Sequence, residues 1–320
     1  MDHLTDGRAV GIERIAVQTP FQAFAQLYSA PSIEEAVTRA CDQLRCEVKE
    51  LVAPIGLQKL LRHFDARVIQ RPLPTAGRLE IDDQGYQVVI RKGVAWRRQR
   101  FTVAHEIGHI IFLEALAADP PWLSELRKDE YWKELERLCN LVAADLLVPR
   151  DDFLASVRVF RPDGSSLRQL YDRYLCSFST LFIRFIDLFP GLSISLWRNL
   201  ARHDGEDQAW RVARCFSSDV STWMPNGMTG KHLLPNIIRS AVTNGACVEP
   251  NLVFDLSGRK RNVCGVAIRL TPRSRSEICN PMFEGMEVPD EPLSEPVVTL
   301  FAWPRSLFET TCKPLMHLCS

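Results

Sequence analysis

The sequence predicts an α+β protein with a mainly helical first part carrying a small sheet and a strand-rich second part. Three patterns carry this expectation. Apolar residues recur at helical spacing in several runs from Ser32 to Leu188. Three β-branched runs interrupt them between Arg67 and Lys92, and beyond Pro190 the texture changes to strand-like segments.

Residues 1–31 are mixed, contain Pro20 and Pro31, and read as a loosely attached lead-in. The segment SIEEAVTRACDQL opens with a capping-type Ser32 followed three residues later by Glu35, and GLQKLLRHF gives a second, shorter helix. RVIQR, GRLEI and YQVVIRK, punctuated by Asp82, Asp83 and Gly85, predict a small antiparallel sheet. A helix is expected over residues 102–116, capped by Thr102. After the loop ADPPW, a second is expected from about Glu125 to Val148, ended by Pro149. Residues 165–188 read as two helices broken near Ser177. The runs SISLW, AWRVAR, NLVFDL, NVCGVAIRL and VVTLFAW follow as strands, with one helix at KHLLPNIIRSAV. The acidic, Pro-rich stretch from Pro281 to Pro296 reads as a long loop, and no internal repeat is present.

Lys plus Arg equals Asp plus Glu, 39 against 39, so no global field draws the chain to nucleic acid or an acidic membrane. The first twenty residues lack a secretory signal and no run is long enough to span a membrane, which predicts a soluble, cytoplasmic protein. Ten cysteines contain no C-x2-C pair, as expected of free thiols in a reducing compartment. Cys264 and Cys247 could respond to oxidants, although small buried hydrophobes are the commoner role.

His105-Glu106-Ile107-Gly108-His109 places two histidines four apart on a helix, where both imidazoles face one way. Val103, Ile107, Ile110 and Ile111 fall on the opposite side, so the helix can bury an apolar face and offer both histidines to a cleft. A catalytic zinc takes three protein ligands and leaves one position for water, so a third donor is needed. Glu136, one turn before Asn140 and flanked by the small Ala143 and Ala144, can supply it; Glu125, Glu130 and Glu134 compete. Asn140 would hydrogen-bond a ligand histidine and fix its tautomer. Glu106 points about 100° away from His105 around the helix. It can therefore act as the base that takes a proton from the attacking water and passes it to the leaving amine. Zinc suits this donor set, and manganese or iron would also be accepted.

Residues 97–109, RRQRFTVAHEIGH, and 136–149, ERLCNLVAADLLVP, resemble the two motifs of the ImmA/IrrE family of metallopeptidases. Cys139, Val142 and Val148 depart from the usual residues at positions that look like packing. The resemblance implies a thermolysin-like (zincin) core over 32–150, with His105, His109 and Glu136 as ligands and Glu106 as catalytic acid/base. It also implies a protein substrate, of which a helix-turn-helix transcriptional repressor is the family analogy, and a place in a stress-response or mobile-element programme.

Residues 151–192 resemble the helical, helix-turn-helix-like region that follows this core. Between Thr180 and Leu188 only Arg184 and Asp187 are charged, so direct DNA reading is not expected. Residues 193–320 read as a C-terminal α/β or β-rich domain, similar to a GAF-like sensory module. Arg97, Arg98 and Arg100 form a basic cluster that would meet an acidic substrate loop or line a solvated turn. His203 reads as a surface residue or a donor to the oxyanion, and His63 as structural. Two other functions share these residues: a metal-containing transcriptional regulator or sensor that cleaves nothing, and a hydrolase of some non-peptide amide.

Overall fold

The computed structural model describes residues 19–48, 52–117, 128–158, 163–200, 209–217, 237–256, 259–270 and 297–304. The helix α1 (Pro20–Leu27) starts from a capping box in which Thr19 and Gln22 satisfy each other's backbone amides. Its Phe24 is fully buried against Phe112. The expected loose lead-in is thus a helix of the core from residue 19 onward, because two aromatic rings need a dry partner. Helix α2 (Ile33–Glu47) begins as the sequence implies, with the Ser32 hydroxyl accepting from the Glu35 amide at 3.2 Å. Helix α3 (Leu57–His63) follows.

Three strands come next: β1 (Arg67–Arg71), β2 (Gly77–Asp82) and β3 (Gly85–Arg91), in the order β1-β3-β2. The sheet is mixed, which corrects the antiparallel expectation: β2 and β3 form a hairpin, but β1 lies parallel to β3. Residues 72–76 carry the chain across the end of β3. A link of that length skips a strand position, where a two-residue turn could not. Val88, Val89 and Ile90 of the central strand are fully buried, whereas β2 is left as an edge.

Helix α4 (Trp96–Leu116) crosses the sheet, and α5 (Asp129–Leu147) runs antiparallel beside it. α4 begins six residues earlier than the sequence implied, so Thr102 lies inside the helix with its hydroxyl donating to the Arg98 carbonyl rather than capping. At the crossing, a Cβ on Gly108 would lie 3.1 Å from Cys139 Cα and 3.3 Å from Val142 Cβ. Glycine costs a helix about 1 kcal/mol relative to alanine. Here its missing side chain lets the two helices meet closely. Cys139, Val142 and Val148 are fully buried, in keeping with packing positions.

Beyond Pro149 come α6 (Arg150–Val157), α7 (Gly164–Tyr174) and α8 (Phe178–Leu188). The α7–α8 reversal passes through Leu175 in the left-handed region, and the Ser177 hydroxyl caps α8. The five-stranded C-terminal sheet consists of β4 (Ser193–Leu200), β5 (Ala209–Ser217), β6 (Ala246–Leu256), β7 (Arg259–Leu270) and β8 (Val297–Pro304). It is wholly antiparallel in the order β5-β4-β8-β7-β6. The helix α9 (Ile237–Asn244) packs with Trp197, Leu300 and Ala302 on one face. The other face presents Ile194, Ile268 and Phe301 to α8, whose Phe185 meets Phe301 edge-on at 5.6 Å. The expected loop from Pro281 to Pro296 and residues 231–236 of the expected helix lie outside the described residues. Among the described residues no helix is long and apolar enough to cross a membrane.

Candidate metal centre

Two helical spacings on antiparallel helices produce the site. His105 and His109, one turn apart on α4, hold their rings 5.0 Å apart between centroids. Glu136 on α5 stands opposite both. Its Oε2 is 3.3 Å from His105 Nε2 and its Oε1 is 3.3 Å from His109 Nε2. The donor atoms of the three residues all lie within 4.8 Å of one another, and no other group of three His, Cys, Asp or Glu does so among the described residues. His105 Nδ1–H donates to Asn140 Oδ1 at 3.1 Å, since that oxygen can only accept. This bond fixes the ring orientation that turns Nε2 toward Glu136.

Hydrogen bonds from His105, then His109, pull the Glu136 carboxyl down to about 2. Glu136 is thus an anion throughout the neutral range, as a carboxylate ligand must be. Two imidazole nitrogens and one carboxylate oxygen, converging beside open cleft space, make a donor set that fits zinc with a coordination position to spare.

Glu106 lies alongside the cluster without joining it. Burial raises its carboxyl above the usual range, against the opposing pull of His109 and His105. Strand β2 comes so near at this point that a Cβ on Gly77 would stand 2.3 Å from Thr102 Cγ2 and 3.2 Å from Glu106 Oε1. Only glycine lets the edge strand pass there. The result is a cleft of about 930 Å³ bounded by α4, α5, β2 and the 73–76 segment, with His105, Glu106, His109, Glu136 and Asn140 in its wall.

The rival glutamates go elsewhere. Glu134 is paired with Arg137 on the α2-facing side, Glu130 sits exposed in the first turn of α5, and Glu125 lies outside the described residues. The basic cluster divides. Arg98 is exposed and lines the cleft, but Arg97 and Arg100 are buried. Arg97 donates to the Tyr171 and Cys176 carbonyls and pairs with Asp172, while Arg100 donates to the Ile55 carbonyl. Neither can meet a substrate loop, because their partners belong to tertiary neighbours that local sequence does not show. Arg184 is likewise buried, bonded to Asp145 and the Val148 carbonyl, and Leu181, Phe182 and Phe185 of α8 are in the core. This face of α8 is therefore not available to a DNA groove. His63 is 3.4 Å from Glu47, remote from the cluster, and His203 lies outside the described residues. Cys264 is buried and Cys247 partly so.

The sequence reading missed Gly77 and Trp132. The indole of Trp132 stacks on the His109 ring, with centroids 5.8 Å apart and planes within 16°. Its position four residues before Glu136 was a usable signal, since it puts the ring on the same helix face.

The fold and donor set together define a candidate metal centre. Residues 61–185 match the peptidase M78 family, described as the IrrE N-terminal-like domain. Over 114 residues the chain is 33% identical to the radiation response metalloprotease IrrE of Deinococcus radiodurans, covering 34% of this chain and 33% of that protein. Over 100 residues it is 39% identical to the protein of the same name from Deinococcus deserti, covering 29% of this chain and 33% of the relative. Over this portion the chain is similar to the IrrE N-terminal-like domain of that family and to these two metalloproteases. It spans about a third of the length of these curated relatives. A solved structure described as a Mycobacterium tuberculosis transcriptional regulator aligns over 94% of this chain and 84% of its own, with a TM-score of 0.49 and 13% identity.

Proposed function

We propose that the chain is a zinc-dependent regulatory metallopeptidase that hydrolyses a specific protein substrate, of which a helix-turn-helix repressor is the analogy offered by the family. The observation that carries this is the convergence of His105, His109 and Glu136 beside a separate, buried Glu106 in one cleft. Zinc, when bound by those three residues, supplies the Lewis acidity that brings a water's pKa toward ~7 and polarises a carbonyl. Asn140 orients His105, and Glu106 takes the proton from the attacking water and delivers it to the leaving amine nitrogen. Burial raises the Glu106 carboxyl above its ordinary range, the direction that favours its taking up a proton. Strand β2 is the edge of its sheet and lines the cleft, so an extended peptide can lie along it by main-chain hydrogen bonds.

In the same proposal, residues 32–150 form a thermolysin-like core, 151–192 a helix-turn-helix-like connector and 193–320 a GAF-like sensory domain located in the cytoplasm with the rest. The antiparallel five-stranded sheet with α9 across one face supports the last assignment. Manganese or iron would be accepted by the same donors.

The test is Glu106→Gln, assayed as zinc-loaded protein against the helix-turn-helix repressor encoded nearest its gene. The expected result is retained zinc with cleavage lowered by roughly 10²- to 10⁴-fold. A cellular effect that persists unchanged in this variant would favour the non-proteolytic regulator, and absence of any cut by metal-loaded wild type would count against the peptidase.

A further inference from the structure

The cleft has two unlike ends. Because α4 and α5 are antiparallel, Leu113, one turn past His109, and Trp132, one turn before Glu136, meet at the same end. Strand β2 reaches that end too. Gly77 adjoins Glu106, whereas Ile81, four residues on and facing the same way, pairs with Tyr86, whose hydroxyl bonds Glu114 at 2.5 Å. Phe112 and Leu135, both buried, line the cleft at this end.

Exposure marks this lobe out. Large hydrophobic side chains left to water usually have a reason when they cluster. Among the described residues four stand exposed: Leu27, Val52, Ile81 at 59% and Trp132 at 47%, and the last two share this cleft. Trp132 uses one ring face against His109 and still keeps nearly half its surface open. A residue that served only to shield His109 would have no need of an exposed Ile81 and of Leu113 in the same cleft.

We propose that this lobe is a specificity subsite for a large aliphatic or aromatic side chain on a substrate residue beside the scissile bond, with Trp132 as its determining wall. The proposal rests on the metallopeptidase reading, which fixes where the scissile bond lies. An aromatic wall and two aliphatic neighbours reward apolar surface, and they offer nothing to a charged or small side chain.

Hydroxamates separate the two claims without requiring turnover. Titration calorimetry on the zinc-loaded full chain compares acetohydroxamate, which offers the metal-binding group alone, with 3-phenylpropanoyl hydroxamate, which adds an aromatic side chain. Wild type should prefer the phenyl compound by at least roughly tenfold. Trp132→Ala should bring that preference to within about threefold, with zinc content and acetohydroxamate affinity unchanged. Ile81→Ser, at an exposed strand position that tolerates change, should lower the preference by a smaller factor and serves if Trp132→Ala does not fold. Absence of a preference in wild type, or its persistence in both variants, overturns the subsite alone. Equal loss of both ligands or of zinc in Trp132→Ala makes the indole a support for His109 and also overturns it. Failure of wild type to take up zinc or to bind acetohydroxamate overturns the metal centre, and the subsite with it.

Discussion

Two of the acidic residues of helix α5, Glu136 and Asp145, lie nine positions apart, and their fates differ. Glu136 faces the cleft with two imidazoles and no permanent cation among its hydrogen-bond partners. Asp145, half a turn away around the helix axis, is closed in. Arg184 bonds its Oδ1 at 2.6 Å, Arg45 bonds its Oδ2 at 3.0 Å, and Arg45 also reaches the Asp145 carbonyl at 3.2 Å. A carboxylate with both oxygens bonded to fixed arginines is committed to structure. One beside two ring nitrogens at an open cleft retains capacity for a metal. The contrast shows how a single helix can hold the domain together on one side and assemble chemistry on the other.

The largest effect that would sharpen the comparison is on the closed side. Arg184→Met leaves the buried Asp145 Oδ1 and the Val148 carbonyl without their donor while Arg45 still holds Oδ2, and should cost about 1–3 kcal/mol of stability, measured by urea unfolding. Zinc binding by the folded fraction should be preserved. A variant as stable as wild type would break the distinction between the two faces.

On the open side, Gly77→Ala places a methyl group against Thr102 and Glu106. Glu106 or the edge strand must shift, and peptidase activity should fall roughly ten- to hundredfold with zinc affinity retained. Full activity would mean that β2 yields without disturbing Glu106.

A smaller effect is expected from acid. In the metal-free protein the Glu136 carboxyl, hydrogen-bonded by His105 and then His109, is lowered from 4.5 to about 2. A folded-state pKa below the unfolded one stabilises the protein above pH 4.5, and that contribution disappears as the pH falls toward 2. Glu136→Gln should therefore flatten the pH dependence of unfolding in that window. An unchanged slope would separate Glu136 from both histidines.

Much of the site was legible in the sequence because its geometry is local. Four-residue spacings within α4 and α5 align His105 with His109 and Glu136 with Asn140, and the family motifs fixed which glutamate to choose. The cap at Ser32 and the break near Ser177 were equally local. What escaped was set by distant partners. The start of α4 at Trp96 depends on buried Arg97 and Arg100 finding carbonyls of Tyr171, Cys176 and Ile55. The parallel pairing of β1 is a matter of chain return, which strand propensity does not encode. α1 and α6 were missed, the first because Pro20 was read as a mark of a loose lead-in and the second because Pro149 was read as an end, although proline also begins helices. Gly77 carries no sequence mark of its own; its importance appears only when β2 is laid against α4.

The central claim is that His105, His109 and Glu136 bind one cation between α4 and α5. X-ray absorption at the zinc edge of the loaded protein tests it most directly. The expected spectrum has two imidazole nitrogens at about 2.0–2.1 Å with oxygen completing the shell and no sulfur, and Glu136→Gln should weaken binding and alter that shell. A sulfur ligand, or a spectrum and affinity indifferent to Glu136→Gln, would contradict it.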